Sequence, residues 1–300
     1  MKKLLLISQL LTFYTAAISI PALAHPTGDL ISVDGSVLWS YVSPIDDPSH
    51  HACVMRWQEG AAPEVLVRSA YQASDYMLYN RGNVVYIIER RFVQATDAFE
   101  SRVLKMKMGE EAVEIWGWFE DAWRVGEGGF VMEGDDRIIF AAYPAVYSLD
   151  KGGKPRKYPI APSEPINGLK EVGSGQLLVM GEAACWLLDE KGEIVRSWNS
   201  LLNEEVENAP LNRNRIFDLD YRNGELLMAY WGQRSFETIS GSGEKKVVAQ
   251  YGDPLTPHWV TYHGNGKLLF ASELRFDGSN PRPYLVFMKP DGKTVEIWKE

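Results

Sequence analysis

Apolar residues arrive along this chain in short runs separated by turn formers, and the last 43 residues, 258–300, show the pattern most plainly. Residues 258–263 are apolar and aromatic and end at Gly264-Asn265-Gly266, which tolerate positive φ and suit a tight hairpin turn. Residues 267–274 follow, with Leu268, Leu269, Phe270 and Ala271 nearly continuous, as expected of a strand covered on both faces. A polar loop, 275–282, is broken by Gly278 and Pro281, and a third run occupies 284–289. Pro290-Asp291-Gly292 makes a second turn, and 294–298 alternates Val295 and Ile297 with Thr294 and Glu296, as suits an outer strand with one wet face. The unit predicted is an up-and-down meander of four strands.

The same unit recurs upstream. A turn followed by an apolar run begins at Gly35, Gly82, Asp135, Gly175, Gly224 and Gly266, at spacings of 47, 53, 40, 49 and 42 residues. A second turn keeps step with it near Gly60, Gly109, Gly152, Gly192, Gly243 and Gly292. Two landmarks in register at a period of 40–50 residues predict an all-β, six-bladed β-propeller with four antiparallel strands per blade. The blades are expected at about 25–67, 68–117, 118–160, 161–202, 203–252 and 253–300. The end blades each carry their own four strands, so direct packing of first on last is expected to close the ring.

Composition adds a location. Residues 1–24 combine Lys2 and Lys3, a Leu/Ile-rich stretch and Ala22-Leu23-Ala24, which reads as a signal peptide cleaved after Ala24. A periplasmic or secreted chain follows, with no membrane span expected. The whole sequence carries −9, and removal of the two signal lysines leaves −9 − 2 = −11. An acidic chain without a basic run excludes nucleic acid as a partner. Export would permit a disulfide between Cys53 and Cys185, but the register puts them in third strands of blades one and four, across the ring. Two buried free thiols are therefore expected, in a monomer.

The phrases Gly266-Lys-Leu-Leu-Phe-Ala271 and Pro290-Asp-Gly-Lys293 resemble those of six-bladed propellers of the NHL-repeat and gluconolactonase/regucalcin-like type. The resemblance covers the 25–300 region as architecture, on scaffold residues. In gluconolactonase-like enzymes carboxylates and an Asn hold a divalent metal near the channel mouth. The comparable residues here are Glu182, Glu273, Asn167 and Asp218, and their spacing matches no motif.

Long loops between second and third strands are expected in blades six, one and two (275–283, 43–51 and 90–101), where binding residues usually sit. They carry His50, His51, Arg90, Arg91, Arg275 and Arg282, with His258 and Glu273 close by. Tyr143, Trp231 and Trp123 are placed as stackers for a sugar or peptide. Glu89, Glu182 and Glu273 fall at strand ends of alternate blades, which could converge on a cation. The alternative is solvated loop charge, balanced by Asp46, Asp47, Asp97, Glu100 and Asp277. No Gly-x-Ser-x-Gly motif occurs, and the cysteines sit in apolar runs that disfavour a thiolate. The sequence thus points to a module binding a small molecule, a glycan, a peptide or an envelope protein, without a cofactor beyond a possible divalent cation. A metal-dependent hydrolase of the lactonase kind at the same mouth is the alternative.

Overall fold

The computed structural model describes residues 29–42, 51–72, 74–173, 175–203, 206–275 and 282–299. The signal-peptide reading therefore lies outside the described residues. The strands form six separate sheets of four antiparallel strands, each built from consecutive strands, at 30–72, 74–120, 130–157, 168–198, 216–250 and 255–299. The outer strand of blade one, Glu64–Gln72, runs past the expected end near residue 67, because β-forming residues continue through Val67 and Tyr71.

Second and third strands make the core because blades cover both of their faces. Leu38, Ile87, Phe140, Leu227 and Phe270 are all fully enclosed, and each such side chain contributes roughly 2–3 kcal/mol through burial. One apolar cluster joins blades one and six through Trp39, Tyr41, Trp57, Trp259 and Phe287. Trp298 of blade six lies 5.4 Å from Trp39 and 4.7 Å, edge on, from Tyr41. Ser32 Oγ and His263 Nδ1 add a 2.9 Å hydrogen bond across the same junction. The ring closes by direct packing, with no strand exchanged between the end blades.

Blade three is the thin one. Its outer strand is Arg156–Lys157 alone, paired with Tyr147 and Ser148. Cys53 and Cys185 are both buried and neither is in a disulfide, in the third strands His51–Gln58 and Cys185–Leu188. Burial alone pushes the Cys185 thiol far up.

The innermost strands fan around an axis and leave backbone N–H groups without a strand partner, a cost that must be met locally. Carboxylates of the preceding blade meet it. Asp29 accepts from the Leu78 N–H at 2.8 Å, and Asp218 from the Val260 N–H at 2.9 Å. Asp220 accepts from the Tyr262 N–H and the Thr261 hydroxyl. Between blades three and four the backbones touch directly, with the Leu169 N–H donating to Gly128 O at 2.8 Å. Gly129 makes that approach possible. Its φ is +88°, and a Cβ there would lie 2.0 Å from Leu169 O.

Candidate functional site

Two cavities lie end to end on the propeller axis. The larger, about 500 Å³, opens on the face of the turns between first and second strands, beside Gly82, Gly173 and Asn223. The smaller, about 110 Å³, opens on the opposite face, beside Glu127, Asn167 and Phe217. Asp29, Gly129, Leu169 and Lys170 line both, so they form the waist between them.

The waist is held by charge. Lys170 on blade four reaches Asp218 Oδ2 on blade five at 3.1 Å and donates to Val260 O of blade six at 2.9 Å. Burial works against the Lys170 ammonium, but Asp218 and Asp220 more than offset it, and its pKa rises. Burial pushes the Asp218 carboxyl up, opposed chiefly by Lys170. Asp29 is also pushed up, from 3.8 to about 7, first by burial and then by the Asp218 charge, with the Leu78 N–H and Lys170 opposing.

The larger cavity is walled by polar groups on rigid strands. Tyr79 of blade two donates its hydroxyl to Glu171 of blade four, and Arg81 joins the same carboxylate at 2.9 Å. Burial and the Glu171 charge hold the Tyr79 phenol firmly protonated. Arg222 donates to Gly264 O at 2.5 Å and lies over the Tyr262 ring at 4.5 Å. The cavity is thus edged by hydrogen-bonding groups of both kinds, with aromatic faces between them.

The residues singled out on the opposite mouth have other surroundings. The expected loop 90–101 of blade two is not a loop. Strands Val84–Val93 and Ala98–Lys107 run on as one long hairpin, because Arg90–Val93 pairs fully with Ala98–Ser101. Arg90 is 8% exposed and bridges Asp75 at 3.1 Å and Glu127 at 3.2 Å. Arg91 is packed against Trp118 at 3.9 Å and pairs with Glu100. Glu89 is fully buried, held by Arg102 at 2.6 Å and by the Ser69 hydroxyl, so it does not reach a mouth. His51 is half-buried with Nδ1 2.8 Å from Ser69 O. His258 sits in a bulge with Nδ1 2.9 Å from Thr256 O and its ring against Phe217. Arg275 pairs with Glu273. Trp231 is 2% exposed beneath the Arg215 guanidinium, which removes it as a stacking surface. Tyr143 is 64% exposed. Trp123 is 44% exposed and rests on Tyr147 beside an outer groove between blades two and three. His50 and most of the expected loops 43–51 and 275–283 lie outside the described residues.

The proposed metal set is not assembled. Glu182 is exposed, Glu273 is tied to Arg275, Asn167 lines the small cavity, and Asp218 is engaged by Lys170. Among the described residues no group of three His, Cys, Asp or Glu could hold a metal ion. No helix among the described residues is long and apolar enough to cross a membrane. Sequence reasoning missed Lys170, Asp29, Arg81 and Arg222. A signal was available for Asp29, which immediately precedes the first strand Leu30–Val33, as it was for Asp218 and Asp220, which interrupt the apolar run of the first strand Ile216–Arg222.

Fold and cavity define a six-bladed β-propeller with a divided axial channel. No protein-family model matches the chain, and no curated protein matches it. Among solved structures it is similar to a streptogramin B lyase, at 11% identity and a TM-score of 0.52 over 90% of this chain and 95% of that one. It is also similar to a virginiamycin B lyase from Staphylococcus aureus, at 10% identity and a TM-score of 0.50 over 87% and 95%. A protein of unknown function from Bacteroides thetaiotaomicron VPI-5482 gives 12% identity and a TM-score of 0.54, over 87% and 69%. At these identities the likeness shows the fold alone.

Proposed function

We propose that the chain is an exported binding module that takes a small polar ligand, or a segment of a partner, at an end of its axial channel. The observation that carries this reading is the cavity of about 500 Å³ on the hairpin-turn face, walled by Tyr79, Arg81, Glu171, Arg222 and Tyr262. It is concave, axial and built on strands, with polar groups converging from four blades, which is how ligand sites are commonly made. The other mouth, where the sequence placed the site and where Glu127, Asn167 and Phe217 line the smaller cavity, is the second place where a guest could dock. Export rests on the reading of residues 1–24 as a cleaved signal.

The test is thermal-shift titration of the protein lacking residues 1–24 with monosaccharides, free amino acids and short peptides. A ligand present at a hundred times its Kd stabilises by about 2.7 kcal/mol. Arg222→Ala should reduce the response to any compound bound in the larger cavity. Equal responses in wild type and variant would move the site elsewhere.

One observation favours a second reading, as a hydrolase. Asp29 carries a carboxyl with pKa about 7 beside Lys170 and Asp218, a value suited to general acid–base work at neutral pH. Turnover of lactones or esters, with and without added Ca²⁺, Mg²⁺ or Zn²⁺, and its loss in Asp29→Asn, would establish that reading over the first.

A further inference from the structure

The larger axial cavity does not end at the channel. It shares Arg81, Glu171 and Gly173 with a second hollow of about 460 Å³ that runs outward between blades three and four. The floor of this cleft is apolar: Val131 and Ile139 from blade three, Leu177 from blade four, and Tyr158 just past the short outer strand of blade three. Leu177 and Tyr158 are partly exposed. The rim is acidic, with Glu133 on one wall and Glu171, Asp189 and Glu190 on the other, and among the described lining residues the one cation is Arg81.

These carboxylates differ in how free they are. Glu171 is taken by Tyr79 and Arg81, and Asp189 holds its own turn through the Lys191 and Glu193 N–H groups. Glu133 meets Arg137 at only 3.4 Å, while Arg137 bonds Asp150 more closely at 2.7 Å. Burial raises the Tyr158 pKa, and the Glu133 charge adds to it while Arg137 opposes, so Glu133 lies close enough to the cleft floor to act on it. Glu190 is exposed on the facing wall. An apolar floor between two such carboxylates fits an apolar side chain with a cation on either side.

We propose that the cleft between blades three and four is a docking groove for an extended peptide segment of a partner that places an apolar side chain between lysines or arginines. Charge complementarity selects that occupant. The proposal rests on the binding reading above and extends its site outward from the axis.

The experiment titrates ¹⁵N-labelled protein lacking residues 1–24 with two capped peptides, Ac-Lys-Leu-Lys-Leu-Lys-NH₂ and Ac-Glu-Leu-Glu-Leu-Glu-NH₂. The basic peptide should shift the amides of Gly173, Leu177 and Glu190, and the acidic peptide should leave them in place. Exposed charge pairs are each worth a modest factor, so Glu133→Gln with Glu190→Gln should weaken binding by about three- to tenfold. Both side chains are exposed, and the variant's unchanged spectrum elsewhere would confirm that it folds. The proposal is overturned if both peptides bind alike, if the basic peptide binds the double variant as well as wild type, if its shifts scatter over the acidic surface, or if neither binds at millimolar concentration. The amides of Arg222 and Tyr262 report separately on the axial cavity. Cleft shifts with those two silent would support the groove while telling against the axial site.

Discussion

Replacing Asp29 with Asn probes the waist most directly, because the change removes a charge while keeping the shape. The Asn side-chain carbonyl can still accept the Leu78 N–H that joins blade two to blade one. In the folded protein the carboxyl has pKa about 7 against 3.8 when solvated. A raised carboxyl pKa means the folded state holds the proton more tightly. Its stabilising contribution is therefore complete below pH 3.8 and is lost as pH rises to about 7. Each pH unit in that window costs about 1.4 kcal/mol, so the shift of about three units amounts to about 4 kcal/mol as an upper bound. Access of water from the two axial cavities reduces it, and about 2–4 kcal/mol is the working range. Asp29→Asn has no such titration. Its melting temperature should match wild type near pH 4 and exceed it at pH 8, by about 4–8 °C at roughly 2 °C per kcal/mol for a chain of this size. The assay is a pair of melting curves at each pH, in which other titrating groups cancel between variant and wild type. A difference independent of pH, or a wild type more stable at pH 8, would refute an uncharged Asp29 at the waist.

Lys170→Met should be the harsher change at the same place. It leaves the Asp218 carboxylate without its ammonium, and breaking a buried pair costs about 3–5 kcal/mol, read by chemical denaturation; Lys170→Met with Asp218→Asn should recover much of the loss. Trp298→Ala, at the junction of blades six and one, should cost about 2–4 kcal/mol, and exchange of the Leu30 and Ile31 amides should rise before that of blade three. Native protein should not react with a thiol reagent and should melt at the same temperature with and without reductant, since Cys53 and Cys185 are buried and unbridged. Burial holds the His263 pKa below 6.5, so its contribution is present above pH 6.5 and is lost as pH falls; His263→Asn should narrow the acid-induced drop in melting temperature.

The blades were legible because their determinants are local. A turn at Gly266 and an apolar run from Leu268 to Ala271 specify a hairpin wherever they occur, and six copies in step leave little choice of architecture. Even so, the hairpin of blade two was misread as a loop. Arg90, Arg91 and Glu100 look like loop charge in sequence, but they pair across two strands that run beyond the other blades, where Arg91 is covered by Trp118. Trp231 was misread for the converse reason. Its place at a strand end suggested a mouth, yet it is covered by Arg215, which immediately precedes the first strand of the same blade. The axial groups were the least legible. Lys170 becomes a waist residue only when blades four, five and six are placed around one axis, and no spacing along the chain encodes that meeting.

Within the channel, structure and function draw on the same carboxylates. Asp29, Asp218 and Asp220 cap inner-strand N–H groups that have no partner in a fanned sheet, which is a requirement of closing the ring. Three carboxylates close to one axis repel one another, and Lys170 together with the proton on Asp29 relieves that repulsion. The waist charges are therefore accounted for by the scaffold before any ligand is considered. Arg222 is different. It holds two backbone carbonyls and covers Tyr262 at the open end of the larger cavity, and among the described residues it forms no ion pair. Removing a scaffold charge should change melting temperature whether or not a ligand is present, whereas Arg222→Ala should change the response to ligand more than the stability. That contrast separates the groups that build the channel from those that can read what enters it.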